Sequence, residues 1–356
     1  MGVQGLLGQL RPIVQQAHLS RFRLQTLAVD AYGWLHKGVL GCAQELARGE
    51  HTEDFLKYPL AMIELLQLYE ITPLLVFDGG ILPAKSHASL QRAATRTRNL
   101  KKAKDLSGIS GSDRQVDAAL RKAAGVTPEM VRRLILELRT RGIPCIVAPY
   151  EADPQLAFLV REGYAAAAIS EDSDLIPYGC PRVLFKLDRN SASGEFIEWD
   201  DIQATEAGGK HLFDGNWEGE WEEWREKLLV AMCVLAGNDY LPSLPQIGIA
   251  RAHAAVRKHR ELRAAAYEVG HLVCLDHDAI QEYAEQAQRT ELIFRHQLVY
   301  NPQDKRLQPL SPLPPGLMVH QRDLDGLIGR MLESEMAQRI CPVSYTHLTL
   351  PTKRIV

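Results

Sequence analysis

The stretch ISEDSDLIPYG, residues 169–179, places Glu171, Asp172 and Asp174 within four positions behind an apolar run. Like charges so close repel, and the crowding is unfavourable unless a cation sits among the carboxylates. Asp172 and Asp174 are one residue apart, so in an extended segment both side chains face the same way, which suits chelation. Other acids stand in comparable places. Asp30 closes LQTLAVD, Asp78 closes TPLLVFD, and Glu151 and Asp153 follow IPCIVA in APYEADPQ. Asp239 lies in the turn AGNDYLP after a long apolar run. One acid at the end of an apolar run is more often a helix cap, and an isolated D-x-D is common in turns and phosphotransferases. Seven acids in this placement cannot all stay ionised unpaired, and hard divalent cations with oxygen ligands are the natural compensation. No His or Cys is interleaved among them, which favours Mg²⁺ or Mn²⁺ over zinc.

Residues 84–104, AKSHASLQRAATRTRNLKKAK, hold seven Lys or Arg and no acid. Lys85, Ser89, Arg92, Arg96 and Asn99 share one helical face at spacings of three and four. A solvated helix normally mixes signs; seven like charges favour a polyanion. Two hard metals beside such a helix point to phosphodiester hydrolysis, one ion activating a water and both stabilising developing charge.

The elements that must position these residues alternate. Strands are expected at 24–30, 72–78, 143–148, 165–170 and 182–187, with helices over 53–70, 128–141 and 152–162. Pro128 and Pro154 suit first turns behind Thr127 and Asp153 as N-caps. This is the pattern of an α/β protein with a parallel sheet flanked by helices, its strands apolar throughout because both faces are covered. Function in such sheets gathers at the carboxyl ends of the strands, where six of the seven acids fall. Residues 195–226 carry eleven acids against Lys210 and Arg225 and read as an acidic surface insertion, with Trp217, Trp221 and Trp224 packing a helix inward. Beyond it come a buried helix, the Asp239 turn and a basic helix with Arg251, Arg257, Lys258, Arg260 and Arg263, a pattern that offers amides and cations to a phosphate chain. The Pro-rich run 302–316 reads as an exit from the compact fold. SYTHLTLPTKRIV has no continuous helical or strand logic and reads as a non-native tail, 344–356.

The 356 residues carry 41 Lys or Arg and 44 Asp or Glu, so the net charge of −3 hides a strong segregation. Six scattered cysteines with no C-x-x-C pair suggest a reduced compartment. The apolar runs are too short to span a bilayer, and the first residues lack a signal-peptide pattern, so no membrane role is expected.

MGVQGLL, AVDAYGWLHKG, LLVFDGG, VAPYEADPQLAFL, ISEDSDLIPYG and LAGNDYLPSLPQIGIARA together resemble the flap endonuclease/XPG family of structure-specific 5′ nucleases, nearest its exonuclease branch. The resemblance runs from Met1 to about Val343. It implies a PIN-like core, a helical arch and a helix-two-turn-helix region. The expected divisions are 1–99 for the N-terminal nuclease region, 100–137 for the rest of the arch, and 138–230 for the internal region. The helix-two-turn-helix would fill 231–300 and a C-terminal wrap 301–343. By resemblance Asp30, Asp78, Glu151 and Asp153 hold one Mg²⁺, and Asp172, Asp174 and Asp239 the other. Lys85 and Arg92 contact the scissile phosphate, with Arg96 beside them on the arch. Tyr32 stacks on a terminal nucleotide, His36 lies near the bend in the duplex, and Gly2 lies beside the metals. Ile247, Gly248 and Arg251 grip duplex backbone with the help of K⁺, although Gln246 replaces the usual first glycine there and Ala236 a frequent serine. The implied activity is 5′-to-3′ exonuclease and flap cleavage on double-stranded DNA with nicks, gaps or flaps. A monomer in the nucleus is expected, acting in mismatch repair and recombination through partners bound beyond this region. A dedicated flap endonuclease is the alternative, and an inactive nucleic-acid-binding scaffold a distant one.

Overall fold

Apolar runs covered on both faces build one twisted sheet. The computed structural model describes residues 2–107, 113–204, 206–207, 210–211, 221–317 and 319–341. The strands are β1 (Gln15–His18), β2 (Thr26–Asp30), β3 (Thr72–Phe77), β4 (Cys145–Val147), β5 (Ala167–Ile169), β6 (Arg182–Asp188) and β7 (Ser193–Glu198), in spatial order β1-β7-β6-β5-β2-β3-β4. From β6 to β4 every neighbouring pair is parallel. Val29 lies beside both Leu75 and Ile169, so the strand ends are nearly level. Alternate residues serve opposite cores: Ala28, Leu74, Val76 and Ile146 face one cluster, and Leu27, Val29, Leu75 and Phe77 the other. That alternation buries both faces and explains the unbroken apolar strands.

The five expected strands and three helices form, trimmed at their ends except the last strand, which runs one residue further, to Asp188. Helix Pro128–Thr140 starts on Thr127, whose Oγ1 accepts from Met130 N at 3.3 Å, and buries Met130, Leu134 and Leu138 at intervals of four. Full burial of each leucine stabilises by about 1.5–3 kcal/mol. Four expectations need correction. The sheet is mixed: β7 runs antiparallel to β6, and β1 antiparallel to β7. β7 opens what reads as the acidic insertion, and its Phe196 and Ile197 are core residues. Trp217 and the side chains of Trp221 and Trp224 lie outside the described residues. Second, helix Ala152–Arg161 is capped by Glu151 and not Asp153, which sits inside its first turn. Third, the basic helix after the Asp239 turn ends at His259; Arg260 is its left-handed cap, and Arg263 lies in the first turn of the next helix, Leu262–Leu272, behind Glu261.

Fourth, 302–316 is no exit. Leu298–Asn301 and Arg306–Pro309 form a hairpin, and the Gln155 side chain bonds both Tyr300 N and Tyr300 O. The chain then returns through helix Ser334–Ile340 until Cys341 O accepts from Val147 N at 2.9 Å, against the outer edge of β4. Residues 344–356 lie outside the described residues. Among those described, all six cysteines are free thiols, and no helix is long and apolar enough to cross a membrane.

Candidate active site

The level strand ends bring the acids to one rim. Asp30, the last residue of β2, caps helix Ala31–Gly41: Oδ1 accepts from Tyr32 N at 3.0 Å and Gly33 N at 3.2 Å, while Oδ2 accepts from Ser170 Oγ at 3.0 Å. Asp78 follows β3 and takes Ala152 N at 2.8 Å, so it supplies the bond that helix Ala152–Arg161 lacks from its own cap. After β5 the chain turns at once. Asp172 caps the single turn Ser173–Leu175 and accepts from Asp174 N at 3.1 Å. The two aspartates therefore converge through a capped turn and not through an extended pleat. Glu171, the third acid of the motif, points elsewhere and pairs with Lys37 at 2.7 Å on the surface.

Two glycines make the close approaches possible. A Cβ on Gly2 would lie 2.3 Å from Asp172 Oδ1 and 2.9 Å from Asp174 Oδ1, and its φ of +92° is a left-handed value. The N-terminal backbone thus lies against both carboxylates. Gly237, at φ +97°, turns the chain out of helix Trp221–Ala236, and Asn238 Oδ1 then accepts from Tyr240 N at 2.9 Å to present Asp239.

The cation demanded by the crowding comes, in this structure, from the basic helix. Lys85, just before helix Ser86–Leu106, ion-pairs with Glu151 and with Asp239, the latter at 3.1 Å; Arg92, two turns on, pairs with Asp239. These acids raise the ammonium and guanidinium above their ordinary values, overcoming burial, which acts the other way. Asp239 is pushed up by burial, yet Lys85 and Arg92 outweigh that and hold it below the usual carboxylate range. The inner acids are less well served. Burial pushes Asp30 and Glu151 up, and burial together with the Asp30 charge takes Asp78 to about 6. Asp153 and Asp174 are raised furthest, by burial and then by Asp172. Among the described residues no three His, Cys, Asp or Glu side chains are drawn close enough to hold a metal as they stand. Asp174 Oδ1, however, is buried with no hydrogen-bond partner, a condition that costs on the order of 1–3 kcal/mol or more. An all-oxygen donor set with an orphaned, buried carboxylate oxygen fits a hard divalent cation.

Beside the rim a groove of about 570 Å³ separates the basic helix from the body. Arg92, Arg96 and Asn99 line one side, His36 another, and Arg121 and Lys122 close it from helix Asp113–Ala123. Burial and the nearby Arg96 lower the His36 pKa. Tyr32, one turn before His36 on helix Ala31–Gly41, is half-buried and packs against the core. Sequence reasoning passed over Arg121 and Lys122, although their adjacency at a helix end was a visible signal, and it also passed over Ser170, Tyr178 and Tyr240. At the turn 246–248, Ile247 is buried, Gly248 caps helix Ile249–His259, and Arg251 Nη1 donates to Gln246 O at 2.8 Å. Gln246 itself stands at φ +63°, where a glycine would be unstrained.

A mostly parallel sheet, acids at its carboxyl rim and a basic helix above define a PIN-like α/β fold. A family model described as the XPG N-terminal domain matches residues 1–99, and one described as the XPG I-region matches 142–239. Exonuclease 1 of Drosophila melanogaster is 39% identical over 316 residues, covering 88% of this chain and 41% of that protein. The DNA damage-inducible protein DIN7 of Saccharomyces cerevisiae is 32% identical over 316 residues, covering 88% of this chain and 70% of its own length. The catalytic core of Rad2 in complex with DNA substrate shares the fold at a TM-score of 0.57 and 18% identity, over 94% of this chain and 88% of that one. The chain belongs to the XPG family. It spans about two-fifths of the length of the first Exonuclease 1 relatives it matches.

Proposed function

We propose that this chain is a divalent-metal-dependent 5′ nuclease, a 5′-to-3′ exonuclease on double-stranded DNA that also cuts 5′ flaps. The observation that carries it is the rim itself: six carboxylates at adjoining strand ends and Asp239 from the later turn, with Asp174 Oδ1 buried and unpartnered and with Lys85 and Arg92 paired to Asp239. The names of the Exonuclease 1 and DIN7 relatives, and the DNA substrate of the Rad2 core, support the substrate class. Asp30, Asp78, Glu151 and Asp153 would hold one Mg²⁺, and Asp172, Asp174 and Asp239 a second, with Mn²⁺ able to substitute. Bound there, the ions would supply an activated water and Lewis acidity toward the phosphate.

The chain's own residues do the positioning. Asp30 and Asp78 are held by backbone amides, so their carboxylates are oriented before any ligand arrives. Lys85 and Arg92, engaged by Glu151 and Asp239 in this structure, exchange carboxylate oxygens for phosphate oxygens when DNA enters, and there they stabilise charge developing on the phosphate. His36, Arg96, Arg121 and Lys122 take neighbouring phosphates along the groove, and Tyr32 stacks on a terminal base. The amides of 247–248 and Arg251 grip duplex further away, with K⁺ at that turn. The protein acts as a monomer in the nucleus, in mismatch repair and recombination.

A 3′-labelled duplex with a recessed 5′ end, incubated with Mg²⁺ or with EDTA, tests this. Progressive shortening of the labelled strand only with Mg²⁺ is the expected result. Absence of shortening on recessed, nicked and flapped substrates alike would overturn the assignment.

A further inference from the structure

Behind Glu151 runs a polar chain that the proposed chemistry leaves unused. Tyr240 donates its hydroxyl to Glu151 Oε2. The Tyr240 and Tyr178 hydroxyls stand 2.7 Å apart, and Tyr178 Oη is 2.9 Å from Gln297 Oε1. Phe294 packs against both tyrosine rings, with centroids 4.9 and 5.5 Å away, and the Lys85 ammonium lies 5.6 Å over the Tyr240 ring. Tyr178 and Gln297 are buried.

Counting protons decides how the chain runs. Three short contacts need three donated protons, and the two hydroxyls carry one each. Glu151, paired with Lys85, is a carboxylate and only accepts. The third proton must come from the amide. Gln297 presents Oε1 to Tyr178, while its Nε2 is buried with no partner. A half-turn of the amide places Nε2 against Tyr178 Oη, where the third proton is needed, and turns Oε1 to the unpartnered side. Every bond then points the same way, from Gln297 to Tyr178 to Tyr240 to Glu151, and the aligned dipoles strengthen one another in the low-dielectric interior.

We propose that Gln297, Tyr178 and Tyr240 form a one-way hydrogen-bond chain that positions the Glu151 carboxylate for divalent-metal binding. This rests on the assignment of Glu151 as a metal ligand. The three are positioning residues: Glu151 is the group they orient, as outer partners orient the ligands of other metal sites.

The test is Mn²⁺ binding to the intact folded protein, followed by electron paramagnetic resonance, with the Mg²⁺ requirement for cleavage measured in parallel. Tyr178→Phe keeps the ring against Phe294 and removes the link. It should raise the Mn²⁺ dissociation constant by roughly 10-fold or more, shift the Mg²⁺ requirement equally, and leave duplex affinity in EDTA unchanged. A purely structural role would lower the urea midpoint without moving the metal affinity of the folded protein. Gln297→Met keeps the length of the side chain but has no proton to donate, and should weaken Mn²⁺ binding too; wild-type affinity in that variant would overturn the role of Gln297 as the head of the chain. Glu151→Gln separates the failures. If it weakens Mn²⁺ binding while Tyr178→Phe does not, the chain has no positioning role. If the wild-type protein and Glu151→Gln bind Mn²⁺ alike, the ligand assignment falls and takes the chain with it.

Discussion

Replacing Asp78 by Asn should make the metal-free protein more stable at neutral pH while removing its activity. Asp78 is buried at the end of β3, and its pKa stands at about 6 against an ordinary 3.8, chiefly through burial and then through the charge of Asp30. That shift of about two units corresponds to roughly 3 kcal/mol. A folded pKa raised above the unfolded value gives stability that is fully present below the unfolded pKa and is lost as pH rises through the folded one. In EDTA the wild-type protein should therefore lose about 3 kcal/mol from this group between about pH 4 and pH 6. Asn carries no charge to desolvate, and its Oδ1 can still accept from Ala152 N, so the helix keeps its bond. Urea unfolding of both proteins in EDTA, at pH 4 and pH 7.5, reads the difference directly. The variant should match the wild type at pH 4 and exceed it by up to about 3 kcal/mol at pH 7.5, with Mg²⁺ narrowing the gap by stabilising the wild type. A variant no more stable than the wild type at pH 7.5, or a difference that ignores pH, would refute the claim that Asp78 is a strained ionised group.

Asp174→Ala should abolish Mg²⁺-dependent cleavage and leave duplex binding intact or tighter, measured by fluorescence anisotropy; retained turnover would remove Asp174 from the metal site. Gln246→Gly relieves a left-handed non-glycine residue and should gain up to about 1 kcal/mol, whereas Gln246→Val should lose at least as much. Urea midpoints in the order Gly, Gln, Val check the backbone at that turn, and the reverse order contradicts it. Arg121→Ala with Lys122→Ala should weaken DNA binding and flatten its dependence on salt, by a slope of about one per lost phosphate contact. An unchanged slope places the DNA outside the groove.

Much of the site was legible because it depends on position along the chain. Apolar runs ending in an acid, in a parallel arrangement, put Asp30, Asp78, Glu151 and Asp172 at one rim with no further information. β1 was hidden because QQAH buries only Ala17 and becomes a strand by pairing with β7; its partner was hidden in turn by an acidic context. Glu171 stood in the crowded motif but outside the chelating set, and its turn toward Lys37 was not legible, because charge alone does not say which way a turn faces. The capping role of Asp78 and the chain of tyrosines behind Glu151 join residues distant in sequence. No local pattern records such contacts. Lys85 and Arg92 were visible as cations, but their pairing with Asp239 and Glu151 followed only from where the basic helix lands.

The bond from Val147 N to Cys341 O, with Gln155 clasping Tyr300, has a consequence in time. As a ribosome releases the chain from its N-terminus, β4 and the first turn bearing Asp153 form long before the residues that border them exist. Until Cys341 has emerged, the outer edge of β4 is open to pair with other strands, and the long loop that joins its two partners keeps their meeting slow. A nascent protein halted after Asp239 but before Cys341 therefore carries every acid of the rim beside an unprotected edge.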